Sequence, residues 1–379
     1  MNAVRKTRDQ PGLDELRGAT TLLVVLHHAA ITYGAIGGWY YREVATSSAL
    51  PIQALVFFCT VNQSWFMGLF FLLAGYFTPP ALARKGLWPF VMGRLMRLGV
   101  PLLVYGYVIG PFTIALAATS SGKSFGQVWL VLLKQGRFEN GPLWFAQALL
   151  LMTMVALVGW RLRGRLPQAA DSTAAAFTPK TEAWPTNWVL ALGALLTGAV
   201  AWLLRNEWPV GVNVWGLQLG YFASYAVLFA FGCRASRSAW LQDLPPRTVQ
   251  VWRWVARLAL PVLPVLYLLG ERMPGLRGSV LDAVYAFWEP LVAWGVILAL
   301  LQRFQRPQAH DSPGWAALSR RAFAIYVIHP PVLVAVALAW RGVAAPALLK
   351  FAVTGSVACV LCFVLAGWVL RVPRLARIL

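Results

Sequence analysis

The sequence predicts an all-α polytopic membrane protein, a bundle of about ten transmembrane helices with both termini in the cytoplasm. Three observations predict it. Hydrophobic residues make up 59% of the 379 positions and charged residues only 12%. The apolar residues fall in repeated runs of about 20, the length an α-helix needs to cross a bilayer core. The cations alternate from loop to loop. With the N-terminus inside, 24 of the 33 lysines and arginines lie on the cytoplasmic side, the bias that sets orientation in a membrane. An even helix count then returns the C-terminus to the same side.

The runs place spans at about 16–37, 50–77, 88–117, 142–160, 186–204, 213–233, 252–270, 281–302, 316–340 and 345–370. The first span follows Asp9, Asp14 and Glu15 and lacks a clean small-residue cleavage site, so it reads as a retained helix rather than a signal peptide. The second ends before Arg84 and Lys85, and the third carries Arg94 and Arg97 at its inner end. The outer segment 118–141 reads as a lid over the external face. Its Gly122-Lys123-Ser124 lacks the upstream glycine and strand of a phosphate-binding loop. Between the fourth and fifth spans, 161–185 is basic and then Ala/Ser/Thr/Pro-rich, the composition of a flexible connector. Arg234, Arg237 and Arg247 separate spans six and seven. Arg303, Arg306, Arg320 and Arg321 separate eight and nine, and Arg371 closes the tenth. No other segment is long enough to fold alone, there is no internal repeat, and 1–379 reads as a single domain.

A net charge of +20 would suit nucleic acid were it gathered on one surface. Distributed over alternate loops, it implies contact with membrane lipids instead and no nucleic-acid partner. Cys59, Cys233, Cys359 and Cys362 all lie in apolar runs. There Cys359-x-x-Cys362 reads as packing rather than a redox or metal pair. No metal site and no permanently bound cofactor is expected.

Ionisable residues inside membrane spans are costly and therefore functional candidates. The chain has four histidines, and His27, His28 and His329 sit in long apolar runs. A rise of about 1.5 Å per residue puts His27 roughly 15 Å deeper than Arg17 on the first helix. At that depth His27 can serve as a general base or a transient acyl acceptor, or be a buried histidine bonded to a neighbouring helix. His28 points about 100° away and reads as a supporting or packing residue. Arg17 reads as an inner-mouth anion contact or a topology anchor. Arg94 and Arg97, about 60° apart on one helical face, can clamp a pyrophosphate or bind lipid phosphates. Tyr326 and His329 share a face of the ninth span, where Pro330 can bend the helix. Glu289, the acid most clearly within a span, can orient His27 or pair with an arginine. Trp65 and Trp144 read as interface-belt aromatics.

Several segments together resemble the membrane-bound acyltransferase-3 family, nearest by pattern to its glucan-biosynthesis-C-like members. They are Arg17 and His27 ten residues apart, Ser64-Trp-Phe-Met-Gly-Leu-Phe-Phe-Leu-Leu-Ala-Gly-Tyr76, Arg94-Leu-Met-Arg97, Gly141-Pro-Leu-Trp-Phe145 and Ala324-Ile-Tyr-Val-Ile-His-Pro330. One departure is Ala74, which stands where the family segment often has Ser. The resemblance implies an inner-membrane O-acyltransferase of bacteria. His27, with Glu289 and His329, would be catalytic. Arg17, Arg94 and Arg97 would hold the phosphates of an acyl-CoA donor. His28, Trp144 and Tyr326 would support the site or meet the acceptor. The acyl group would be acetyl or succinyl and the acceptor a hydroxyl of an extracytoplasmic glycan or lipid-linked sugar, with oligomeric state left open. Two other classes stay on the table: a proton-coupled transporter relaying through His27, His329 and Glu289, and a non-catalytic scaffold for envelope-glycan assembly.

Overall fold

The computed structural model describes residues 11–167, 182–238, 240–266, 279–305 and 312–379. Among them the chain is helical, and one isolated bridge, Val214 to Leu217, is the β pairing present. Twelve elements follow in order. α1 spans Pro11–Thr32 and α2 Leu50–Lys85. α3 spans Leu87–Ser121, and the amphipathic α4 Phe125–Lys134. α5 is Gly141–Leu162, α6 Asn187–Glu207, α7 Leu219–Ala235 and α8 Pro246–Leu266. α9 is Ser279–Phe304, α10 Pro313–Ala339, α11 Ala347–Val369 and the short α12 Pro373–Ala376.

Eight helices among the described residues are long and apolar enough to cross a membrane: α2, α3, α5, α6, α8, α9, α10 and α11. The ten expected spans include two more. α1 has the length, but Asp14, Glu15, Arg17, His27 and His28 interrupt its apolar run. α7 is apolar but shorter. The last residues of the seventh expected span (267–270), most of the expected connector (168–181) and the basic residues Arg5, Lys6, Arg8, Lys180 and Arg306 lie outside the described residues.

Three elements differ from expectation in ways that shape the interior. α1 ends at Thr32 rather than near 37. There the chain turns through Gly34 at φ +115° and Gly37 at φ +149°, a region open mainly to glycine. The freed Thr32 carbonyl accepts from the backbone N–H groups of Glu43 and Val44. Arg42 donates to the carbonyls of Ala35 (2.8 Å) and Gly37 (2.9 Å), so the loop folds back over the helix end. α3 is not a uniform α-helix. π-helical turns at Leu95–Gly99 and Tyr105–Ile109 widen it. The segment expected as a lid contains a helix, α4, whose Phe125 and Trp129 pack on Phe112 of α3. The Gly106 carbonyl, in the second widened turn, accepts from the backbone N–H of Glu139.

α2 lies at the centre, packed most extensively on α7 and also on α9 and α1. Leu69, Phe71 and Leu72 of α2 are fully buried. In lipid there is little hydrophobic drive between helices, so close backbone approach decides their packing. A Cβ at Gly75 would collide with the Phe229 carbonyl, and one at Gly232 with that of Leu72. The glycine of the Ala74-Gly75-Tyr76 segment therefore sets the α2–α7 crossing. Gly75→Val should destabilise the protein by about 1–3 kcal/mol through overpacking. Gly193→Ala, where an added Cβ meets nothing within 4 Å, should be neutral or slightly stabilising. Thermal unfolding of the two detergent-purified variants checks this, and equal melting temperatures would disprove the close-approach role.

Candidate active site

The site is built around His27, five residues before the end of α1. Its ring packs against Phe66 of α2, with centroids 4.9 Å apart, and edge-on to His28 at 5.6 Å. The His27 carbonyl accepts a weak bond from the Cys59 thiol at 3.5 Å. The side chain is 6% exposed, and Nδ1 is buried with no hydrogen-bond partner.

His28 and His329 form a separate pair. His28 Nδ1 and His329 Nε2 are 3.2 Å apart, and the rings stack at 5.1 Å. His329 Nδ1 lies 2.7 Å from the Tyr326 carbonyl. A carbonyl only accepts, so His329 carries its proton on Nδ1 and presents Nε2 to His28 as an acceptor. Trp39, from the loop after α1, stacks on His28 at 4.1 Å and lies parallel to His329 at 5.8 Å. The contact holds α1, α10 and the loop after α1 together.

Tyr326 donates its hydroxyl to the Pro142 carbonyl, which ties α10 to the Gly141-Pro-Leu-Trp-Phe145 segment. Gly141 sits at φ +43°, against the hydroxyls of Tyr40 and Tyr105. A side chain there would meet both a strained backbone and no space, which accounts for glycine. Tyr40 and Tyr105 share a hydrogen bond of 3.0 Å. Burial raises the Tyr40 hydroxyl above its ordinary pKa, so the bond is between neutral groups at physiological pH. Trp144, expected in an interface belt, instead stacks on Tyr225 at 5.6 Å and stands 6.5 Å from Phe71 inside the bundle.

Glu289 makes no hydrogen bond to His27. It forms an ion pair with Arg205 at the end of α6, both side chains almost wholly buried. Arg205 also donates to the Gly220 carbonyl at 3.1 Å and lies over the rings of Tyr221 and Tyr285. Of the two readings open for Glu289, pairing with an arginine is the one the side chains adopt. Arg205 Nη1 and Glu289 Oε1 remain without partners.

The three expected anion contacts differ in their surroundings. Arg17 pairs with Asp14 at 2.9 Å, both about two-fifths exposed. Arg94 is half-buried, donates to Thr78 Oγ1 at 2.8 Å and lies over Phe90. Arg97 is exposed. A π-helical turn starts at Leu95, between the two arginines. An i→i+5 turn takes more residues to come round, so Arg97 falls further from Arg94 about the axis. Thr78 in turn donates to the carbonyl of Ala74 at 2.7 Å, so a hydroxyl stands one turn beyond the position where the family often has Ser.

Two further buried polar residues carry a signal in the sequence. Asn62 is an amide within an apolar run, 5% exposed, and its Nδ2 is buried without a partner. Arg205 sits one residue past the expected end of its span. A span ending at 204 leaves it outside the membrane, whereas α6 continues to Glu207.

The described residues thus define a helical, multi-pass membrane protein with a cluster of buried imidazoles and amides where helices α1, α2 and α10 meet. The family model for an acyltransferase domain matches residues 10–368. The chain belongs to the acyltransferase-3 family, and its chemistry is acyl transfer other than aminoacyl transfer. Comparisons with curated proteins and with solved structures give no match.

The Arg205–Glu289 pair yields a stability prediction. Removing one partner strands a buried charge, so Arg205→Met and Glu289→Leu should each destabilise by about 3–5 kcal/mol. The double variant should recover most of that loss. Melting temperatures of the three variants check it, and additive losses would show that the two side chains act independently.

Proposed function

We propose that this protein is an inner-membrane O-acyltransferase. It takes an acetyl or succinyl group from cytoplasmic acyl-CoA and passes it to a hydroxyl of an extracytoplasmic glycan or lipid-linked sugar. The observation that carries this reading is His27. It is a buried imidazole whose Nδ1 has no protein partner, in a chain matched over residues 10–368 by an acyltransferase family. Its neighbour His28 is engaged with His329, which leaves His27 as the imidazole free to act.

In this reading the acceptor hydroxyl oxygen attacks the thioester carbonyl carbon while His27 takes the hydroxyl proton. The tetrahedral intermediate carries an oxyanion on the former carbonyl oxygen. It collapses with cleavage of the carbon–sulfur bond, and the thiolate leaves as a thiol after receiving the proton from the His27 imidazolium. The products are an ester and free coenzyme A. Trp144, Tyr225 and Phe71 form an aromatic wall of the kind that packs against a sugar face or an acyl chain. Arg94, Arg17 and the exposed Arg97 would meet the phosphates of the donor. The basic groups at 84–97, 161–165, 234–257, 303–321 and 371–377 support ten spans, counting α1 and α7, with both termini inside.

Two experiments test these statements. With radiolabelled acetyl-CoA and succinyl-CoA, and water standing in for the acceptor hydroxyl, the purified protein should release free thiol and the free acid with at least one donor. His27→Ala should lose about 10²–10⁴-fold in rate while remaining folded and monodisperse, and His28→Ala should lose less. Equal partial losses in both variants would reduce His27 to a packing residue, and full activity in His27→Ala would overturn the mechanism. For orientation, reporter fusions at Pro167 and Ser121 should report the cytoplasm and the periplasm respectively. The same compartment for both would break the topology.

A further inference from the structure

Cys59, Asn62 and Phe66 are spaced three and four apart on α2, and such residues lie on one helical face. Cys59 bonds to the His27 carbonyl and Phe66 packs on the His27 ring. Asn62 lies between these two contact points along the axis and within about 60° of both around it, which places it on the side of α2 that packs against α1 at His27. Its Nδ2 donor and the His27 Nδ1 are both buried, and neither has a partner. Both side chains are more than nine-tenths buried. Unpaired polar atoms in a buried site destabilise a fold and call for an explanation. Here there are two, on facing helices, one a donor and the other an imidazole nitrogen.

We infer that Asn62 is a further catalytic residue of the acyl transfer, donating its amide N–H to the thioester carbonyl oxygen and to the oxyanion that oxygen becomes. This rests on the acyltransferase reading above. The chemistry needs two different groups at one carbon. A base must accept the proton of the attacking hydroxyl, and a donor must meet the negative charge that develops on the carbonyl oxygen. His27 supplies the first. Four neighbouring polar side chains are engaged elsewhere, and the Trp39 indole N–H, also buried without a partner, belongs to a ring that stacks on His28 rather than on His27. His28 and His329 bond to each other, Gln63 donates to the Tyr225 hydroxyl at 3.1 Å, and the Ser64 hydroxyl donates to the Val61 carbonyl at 2.7 Å. A neutral amide suits the task. It donates without adding a cation beside the imidazole, so it does not oppose the protonation of His27 during the step.

The test uses the full-length protein in detergent with acetyl-CoA and succinyl-CoA, measuring thiol release, kcat, donor KM and melting temperature. Asn62→Leu removes the donor and replaces it with an apolar side chain. Asn62→Ala does the same without adding volume and serves if leucine proves too large. In the folded variant, kcat should fall about 10²–10³-fold, as for loss of one oxyanion donor. Donor KM should stay within a few-fold, and the melting temperature should be unchanged or raised because an unpaired buried donor is gone. A structural amide would show the opposite pattern, with a lowered melting temperature and activity lost in step with it. That pattern, or kcat kept within about threefold in a stably folded variant, overturns the inference while leaving the acyltransferase reading intact. A wild-type protein that releases no thiol from either donor overturns both.

Discussion

Everything polar in this bundle is governed by one constraint: a group removed from water must find its partner within the protein. Unsatisfied polar groups are costly in a low-dielectric interior, and the chain pairs most of them. Arg205 and Glu289 neutralise each other under Tyr221 and Tyr285. Lys350 does the same with Glu43, beside Trp340, and fastens the loop after α1 to the start of α11. Thr20, Thr21, Thr113, Thr153 and Thr197 return their hydroxyls to carbonyls one turn back. Such pairing fixes which faces meet, so the architecture follows from where these groups were placed along the helices.

The pairing is incomplete at several buried atoms, Arg205 Nη1, Glu289 Oε1 and Glu43 Oε2 among them, and two others fall on α1 and α2 at the candidate site. His27 Nδ1 and Asn62 Nδ2 lack partners at a point where the surrounding side chains are aromatic or already bonded. The surroundings are assembled from distant parts of the chain: Phe66 of α2 packs on His27, while Trp39 from the loop after α1 and His329 from α10 pack on the adjacent His28. None of these elements could hold an imidazole in a set orientation alone. The widened turns in α3 and the positive-φ glycine at 141 let the outer segments reach inward without an ordinary helix or side chain in the way.

The helical class, the approximate spans and the buried histidines were all legible, because apolar run length and charged-residue placement are local properties of a sequence. His27 and His329 could be read as buried from their neighbours alone. Their partners could not. That His329 faces His28 rather than His27 depends on the crossing of α1 and α10, which is a packing outcome. Arg205 was hidden by an error of a few residues in the end of one span, enough to move a buried cation into a loop. The π-helical turn at Leu95, which changes the angle between Arg94 and Arg97 about the axis, was not legible, since ideal helical geometry assumes a uniform turn. Asn62 was visible as a polar residue in an apolar run, but its significance lies in having no partner, and a sequence cannot show that.

The division of labour among the three imidazoles follows from hydrogen-bond direction. The Tyr326 carbonyl requires the proton of His329 on Nδ1, so Nε2 must accept, and His28 must donate from Nδ1. That chain of bonds has one consistent arrangement for neutral rings. A proton on His329 Nε2 would reverse the bond, with His28 carrying its own proton on Nε2 and accepting at Nδ1 across the 3.2 Å contact. His27 has no such commitment at Nδ1. Three histidines of similar depth therefore differ in chemistry because of what each ring already holds. The sequence pattern that singles out His27 coincides with the one imidazole of the three whose nitrogen is left buried and free.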